Sequence, residues 1–260
     1  MARGSIGVRV EGVHAVAAAV RAGRVQRLLI ERSRLGDLQR LADEAAAAGA
    51  AVQVVEYLAA SSESPQGVAA ECRRLETVSL NQAVAASTPA ALIVIDHLED
   101  PHNLGAVARS AVAAGLRAMV VPKRRVARLG PVAFKAAAGA LETMAVVEVA
   151  SIPAAIEQLR SLGVWSVGLA AGGGQSIFGL ALLAEPVAIV VGGEGKGMAR
   201  LVAERVDVVA RIPVAAEVES LNASVAAAIA CFEVARVRGW EPGVGIGPTT
   251  SSLQEKRSTD

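Results

Sequence analysis

From Ala90 onward, short unbroken apolar runs alternate with stretches in which apolar residues return every three or four positions. The runs are Leu92–Ile95, Ala118–Val121, Ala145–Val149, Val164–Leu169, Val187–Val191 and Val208–Ile212. Apolar runs without alternation mark strands covered on both faces, so they predict an α/β fold around a mostly parallel sheet. Helices are expected between them, at about 104–114, 131–141, 153–162, 198–205 and 223–238.

Before Ala90 the pattern describes a smaller α/β unit. A helix is expected over Val13–Val20, a strand over Val25–Ile30 and a helix over Leu35–Ala48, whose Leu35, Leu38, Leu41, Ala42 and Ala45 share one face. A strand, Ala51–Val55, follows Gly49, and Ser61–Pro65 reads as a turn or loop. The expected division is a first unit over residues 1–76, a linker over 77–89 and a second unit over 90–239. Residues 240–260 are polar and punctuated by Gly and Pro, the composition of a disordered tail. No internal repeat is visible.

Composition narrows the class. Of 260 residues, 53% are hydrophobic and 20% charged, which supports a packed core and excludes wholesale disorder. No segment approaches the ~18 consecutive apolar residues of a membrane span, and the N-terminus lacks the apolar stretch of a signal peptide. Two cysteines, Cys72 and Cys231, make neither a disulfide framework nor a thiolate metal cluster. A soluble, cytoplasmic protein is the expectation. With three Phe, two Trp and one Tyr, stacking platforms for single-stranded RNA are disfavoured.

Charge is unevenly spread. Net charge is +1, yet between Pro101 and Leu141 stand Arg109, Arg117, Lys123, Arg124, Arg125, Arg128 and Lys135 with no Asp or Glu. That suits a phosphate backbone, the alternative being a basic surface without a partner.

In an open α/β sheet, ligands bind beyond the carboxyl ends of the strands. Three loops there stand out: Asp100–Gly105, Gly192–Gly197, and Pro213–Asn222. The glycine loop is not a P-loop, because Gly197 follows Lys196 where Ser or Thr is required. Nor does it fit a dinucleotide fingerprint, whose third glycine would fall on Met198. A tight strand-to-helix turn would explain glycines alone; Glu194 among them points to a ligand site, since glycines let backbone approach a ligand closely. Asn103 reads as a helix N-cap. Arg109 sits at the edge of the apolar stripe of its helix, with its guanidinium able to fold back towards the loop. His14, His97 and His102 show no metal-ligand spacing, and no metal is expected.

Together these loops resemble the SpoU/TrmH family of RNA ribose 2′-O-methyltransferases. The resemblance is carried by Asp-Pro-His-Asn-Leu-Gly-Ala-Val-Ala-Arg-Ser-Ala (100–111), by Gly-Gly-Glu-Gly-Lys-Gly-Met (192–198), and by Ile212-Pro213 with Ser-Leu-Asn-Ala-Ser (220–224). It covers Ala90 to about Arg238. More loosely, the N-terminal unit resembles the L30-like RNA-binding domain of many members, though Pro65 stands where a histidine is common. The family implies a C-terminal trefoil knot, S-adenosyl-L-methionine as cofactor and a homodimer. It also implies Asn103, Arg109, Glu194, Ser220 and Asn222 as active-site positions. Cofactor contacts are implied at Gly192, Ile212 and Leu221, with Gly168, Leu169, Gly193 and Pro213 nearby.

The family assigns the arginine to removal of the ribose 2′-hydroxyl proton. An arginine of pKa ~13.8 would need a shift of about seven units, about 9 kcal/mol, to be neutral near pH 7. Arg109 is therefore expected to act as a cation that orients the target phosphate and stabilises the developing alkoxide, held by Glu194. A guanosine of 23S rRNA is the expected substrate. The alternatives are a tRNA methyltransferase, an antibiotic-resistance rRNA methyltransferase, or a non-catalytic RNA-binding protein.

Overall fold

A computed structural model of the chain describes residues 6–59, 66–124, 126–195 and 197–239. The expected loop at Ser61–Pro65 and the expected tail at 240–260 lie outside the described residues, as do Arg125 and Lys196.

The first unit contains β1 (Arg9–Glu11), α1 (Val13–Arg21), β2 (Val25–Glu31), α2 (Leu35–Ala47), β3 (Ala51–Val55) and β4 (Val68–Cys72). Its sheet has the order β1-β4-β2-β3, with β2–β3 parallel and the other two pairings antiparallel. Strands β1 and β4 are absent from the hydropathy reading. The first has only three residues, and the second, Val-Ala-Ala-Glu-Cys, has little side-chain bulk to mark it.

A short helix, α3 (Leu80–Val84), follows, closed by a capping box in which Ser79 and Gln82 bond each other's backbone. The second unit comprises β5 (Ala91–Ile95), α4 (Pro101–Ala113), β6 (Ala118–Pro122), α5 (Pro131–Ala137), β7 (Ala145–Val149), α6 (Ile152–Ser161) and β8 (Trp165–Leu169). It continues through β9 (Gln175–Ser176), β10 (Val187–Val191), α7 (Arg200–Ala203), β11 (Val208–Arg211) and α8 (Ala223–Val237). Helix α5 is shorter than expected, because Ala138 and Gly139 turn left-handed at φ 50° and 96°.

All six pairings of the second sheet are parallel, in the order β7-β6-β5-β10-β8-β11-β9. Both faces are covered, as the unbroken runs require: Leu92 and Val94 of β5 pack on one side, Ile93 and Ile95 on the other. The chain runs outward from β5 through β6 to β7, then returns beyond β10, so the order reverses between β5 and β10. That reversal opens a crevice at the carboxyl ends of these two strands.

The two sheets share one core cluster. Arg24, 8% exposed, joins them: its Nε and Nη2 donate to Glu142 at 2.7 and 2.5 Å, and Nη1 donates to the carbonyl of Gly7 at 3.1 Å. Its guanidinium also lies 5.7 Å from the centre of the Phe134 ring. Gly7, at φ 62°, takes that ring where a Cβ would stand 2.5 Å from it. Among the described residues no helix is long and apolar enough to cross a membrane.

Candidate active site

The loop after β5 starts a helix. Asp100 is the N-cap, its Oδ1 accepting from the His102 amide at 2.8 Å, and Pro101 occupies the first turn. This corrects the expectation for Asn103, which is already inside α4 because the capping role belongs to the aspartate before the proline. Freed from the cap, Asn103 donates from Nδ2 to Glu194 Oε1 at 2.5 Å. Gly105 of the same motif is a packing residue: a Cβ there would lie 2.3 Å from the Ala133 carbonyl of α5.

After β10 the chain turns through the glycine loop, where the Gly197 amide donates to the Gly193 carbonyl at 3.1 Å. A Cβ at Gly192 would stand 2.1 Å from the Gly197 carbonyl carbon, and one at Gly193 would stand 2.2 Å from the His97 carbonyl oxygen. Gly195 and Gly197 have φ of 77° and 64°. Glycine is thus required here by close backbone approach and by left-handed turns.

The third loop leaves β11 at Ile212 and ends at Asn222, which caps α8. Its Oδ1 accepts from the Ser224 amide at 2.8 Å and from the Ser224 hydroxyl at 2.6 Å.

Loops two and three converge on a cavity of about 880 Å³. Leu169, Gly192, Gly193, Glu194, Ile212, Pro213, Ser220, Leu221 and Asn222 all line it. Asn103 reaches it through its bond to Glu194. Gly168 lies just behind, in β8, where a Cβ would meet the Met198 sulfur at 2.6 Å. Ala170, Ala171 and Arg211 line the cavity as well, beyond the residues expected from the sequence. Arg211 Nη1 donates to the Gly173 carbonyl at 2.7 Å, and a Cβ at Gly173 would lie 2.5 Å from the Ala210 carbonyl carbon. The run Ala170–Gly174 directly after a strand was the available signal.

Arg109 is placed elsewhere. Six residues past Asn103 put it about 240° around the helix and about 9 Å along it. It faces a groove of about 470 Å³ shared with Arg21 of α1 and Glu142. Glu194 therefore holds Asn103, not Arg109, within a single chain.

The cavity fits S-adenosylmethionine on its own terms. It has room for a nucleoside bearing an amino-acid tail, apolar walls at Leu169, Ile212 and Leu221, and backbone bared by glycines on one side.

The sequence profile described as the SpoU rRNA Methylase family matches residues 90–232, and that described as RNA 2′-O ribose methyltransferase substrate binding matches residues 9–78. The 23S rRNA (guanosine-2′-O-)-methyltransferase RlmB of Coxiella burnetii is 39% identical over 237 residues, spanning 87% of this chain and 94% of the relative. The Yersinia pestis RlmB is 39% identical over 210 residues, spanning 78% and 85%. The fold is that of the SpoU methyltransferase AviRb from Streptomyces viridochromogenes, solved with AdoMet. The TM-score is 0.72 at 24% identity, over 88% of this chain and 90% of that one.

Proposed function

This chain belongs to the SpoU rRNA methylase family, and we propose that it transfers a methyl group from S-adenosylmethionine to the ribose 2′-hydroxyl of a guanosine in 23S rRNA. The observation that carries the reading is the meeting of loops distant in sequence on one glycine-walled cavity. Two relatives named for this reaction, each 39% identical over most of their length, support the substrate. Residues 1–76 serve as the RNA-binding unit, 77–89 as the linker and 90–239 as the catalytic unit with its knot. The protein works in the cytoplasm as a homodimer.

When bound, S-adenosylmethionine supplies a methyl group on a sulfonium, already activated for displacement. The protein's task is alignment. Gly192, Gly193, Ile212, Pro213 and Leu221 would hold the cofactor, with Gly168 and Leu169 shaping the floor. Glu194, fixed by Asn103, borders the place where ribose enters. Ser220 and Asn222 close the opposite side. Arg109 acts as a cation on the target phosphate and on the developing 2′-alkoxide.

Because Arg109 points away from its own cavity, it serves the site of the second subunit. Mixing an Arg109→Ala chain with a Glu194→Ala chain, each inactive alone, is expected to restore transfer in the mixed dimer. Absence of rescue would put Arg109 in its own site. The primary test is mapping 2′-O-methylation across total RNA with and without the gene. Loss of one guanosine mark in 23S rRNA is expected; a lost mark confined to tRNA overturns the substrate.

A further inference from the structure

A second cavity, of about 550 Å³, shares Gly193, Glu194 and Gly197 with the first but is completed by His97, Glu99 and Arg200. His97 is built into it. It has φ 58°, one of three non-glycine residues with positive φ among those described. A glycine would take that backbone without penalty, so the imidazole is present despite the backbone.

The ring is oriented from behind. Asp96, 1% exposed, bonds His97 Nδ1 through Oδ1 and accepts the Ala199 amide at 2.7 Å through Oδ2. With Asp96 Oδ1 as the acceptor, Nδ1 is the donor of that bond and Nε2 is the nitrogen left for the cavity. The His97 carbonyl is packed against Gly193, which pins the main chain at the same point.

Among the described residues that line the cavity, two carboxylates, Glu99 and Glu194, stand against one guanidinium, Arg200. Glu99 is exposed, and Glu194 spends only Oε1 on Asn103. Arg200 is engaged by Glu204 at 3.2 Å. Among the four bases, guanine alone presents two adjacent N–H donors on its Watson–Crick edge, N1–H and one N2–H, with the second N2–H turned towards the sugar edge. Adenine and cytosine set a ring acceptor beside their amine, which a carboxylate repels, and uracil offers a single N–H.

We propose that this second cavity receives the base of the target guanosine, with Glu99 accepting from N1–H and N2–H and His97 Nε2 meeting the other N2–H. The inference rests on the reading of the chain as a guanosine methyltransferase and adds where the base sits and which side chains select it. His97 and Glu99 are specificity residues, separate from the groups that face the reacting oxygen.

The test uses the full chain. His97→Gly removes the ring while relieving the left-handed backbone, so a purely structural histidine predicts an unchanged or higher melting temperature and unchanged kinetics. A base contact predicts KM for a 23S rRNA transcript rising about tenfold with the melting temperature held, and the same for Glu99→Gln. His97→Asn, which tolerates the left-handed region, guards against a folding artefact. Independently of activity, the three histidines can be followed by NMR. GMP is expected to shift one imidazole signal that His97→Gly abolishes, while AMP leaves it in place. Wild-type KM in both variants, or no GMP-induced shift, overturns the proposal. If the wild type methylates no 23S rRNA yet GMP still shifts His97, the parent reading fails and the base site stands.

Discussion

Arg109 and Asn103 sit on one helix yet serve different surfaces, because side chains six positions apart diverge around the axis. Asn103 meets Glu194 across the crevice, whereas Arg109 faces a groove with Arg21, with no ion-pair partner among the described residues. A guanidinium in that state is suited to a phosphate, which it grips through a planar fork that an ammonium lacks. Arg109→Lys is therefore expected to lower kcat by about 10²-fold while leaving S-adenosylmethionine affinity unchanged, as calorimetry would show. A lysine variant that kept most of its turnover would sink the geometric role. The thiols take no such part: burial raises Cys231 to about 12 and Cys72 to about 11, far from the thiolate form at neutral pH.

At the scale of elements, Asn222 both ends the third loop and caps α8. Serine caps as well as asparagine, so Asn222→Ser is expected to leave the urea midpoint in place while methyl transfer falls. Asn222→Ala should lose transfer and also about 1 kcal/mol of stability. Equal activity of the serine variant and the wild type would confine Asn222 to capping. At the amino ends of the same strands, Asp207, just before β11, ties that strand to β8. Its Oδ2 accepts from the Ser166 amide and hydroxyl at 2.8 and 2.6 Å, and its Oδ1 from Arg160 Nε at 2.8 Å. Burial works against the charged form, but the bonds from Ser166 and Arg160 outweigh it and hold the carboxyl below its ordinary value. A carboxyl depressed in the folded state contributes stability above its unfolded pKa of about 3.9, and the contribution is lost as pH falls through the lower folded value. Acid titration of the unfolding midpoint should show this loss, and Asp207→Asn should flatten it.

For the molecule as a whole, the junction of the two sheets decides how the RNA-binding unit is presented to the catalytic one. Its charged pair is nearly dry, with side chains of Arg24 and Glu142 10% and 2% exposed. Removing one partner strands the other, so Arg24→Ala is expected to destabilise by about 3–5 kcal/mol, whereas Arg24→Met with Glu142→Met should recover most of that. Guanidinium denaturation measures both. A single-variant effect below about 1 kcal/mol would mean that water reaches the pair and that Phe134 packing holds the junction instead.

Most of the catalytic unit is legible without coordinates. Val187–Val191 is a strand over the expected residues, because a strand covered on both faces admits no polar residue to blur its ends, and Ala145–Val149 at the sheet edge keeps its expected bounds even with Glu148 within it. The glycine loop was legible too, since backbone contact and left-handed turns leave only glycine possible. What periodicity could not carry is distance across the chain. The meeting of Asn103 with Glu194, the placing of Arg109 on another face, the Asp96 brace behind His97 and the joining of Arg24 to Glu142 all link residues through strand order and helix rotation. Local composition thus determined the elements and the chemical types at their tips, because burial and turn geometry act within a few residues. Only the tertiary structure decided which tips meet, because that follows from where the sheet reverses and which way each helix faces.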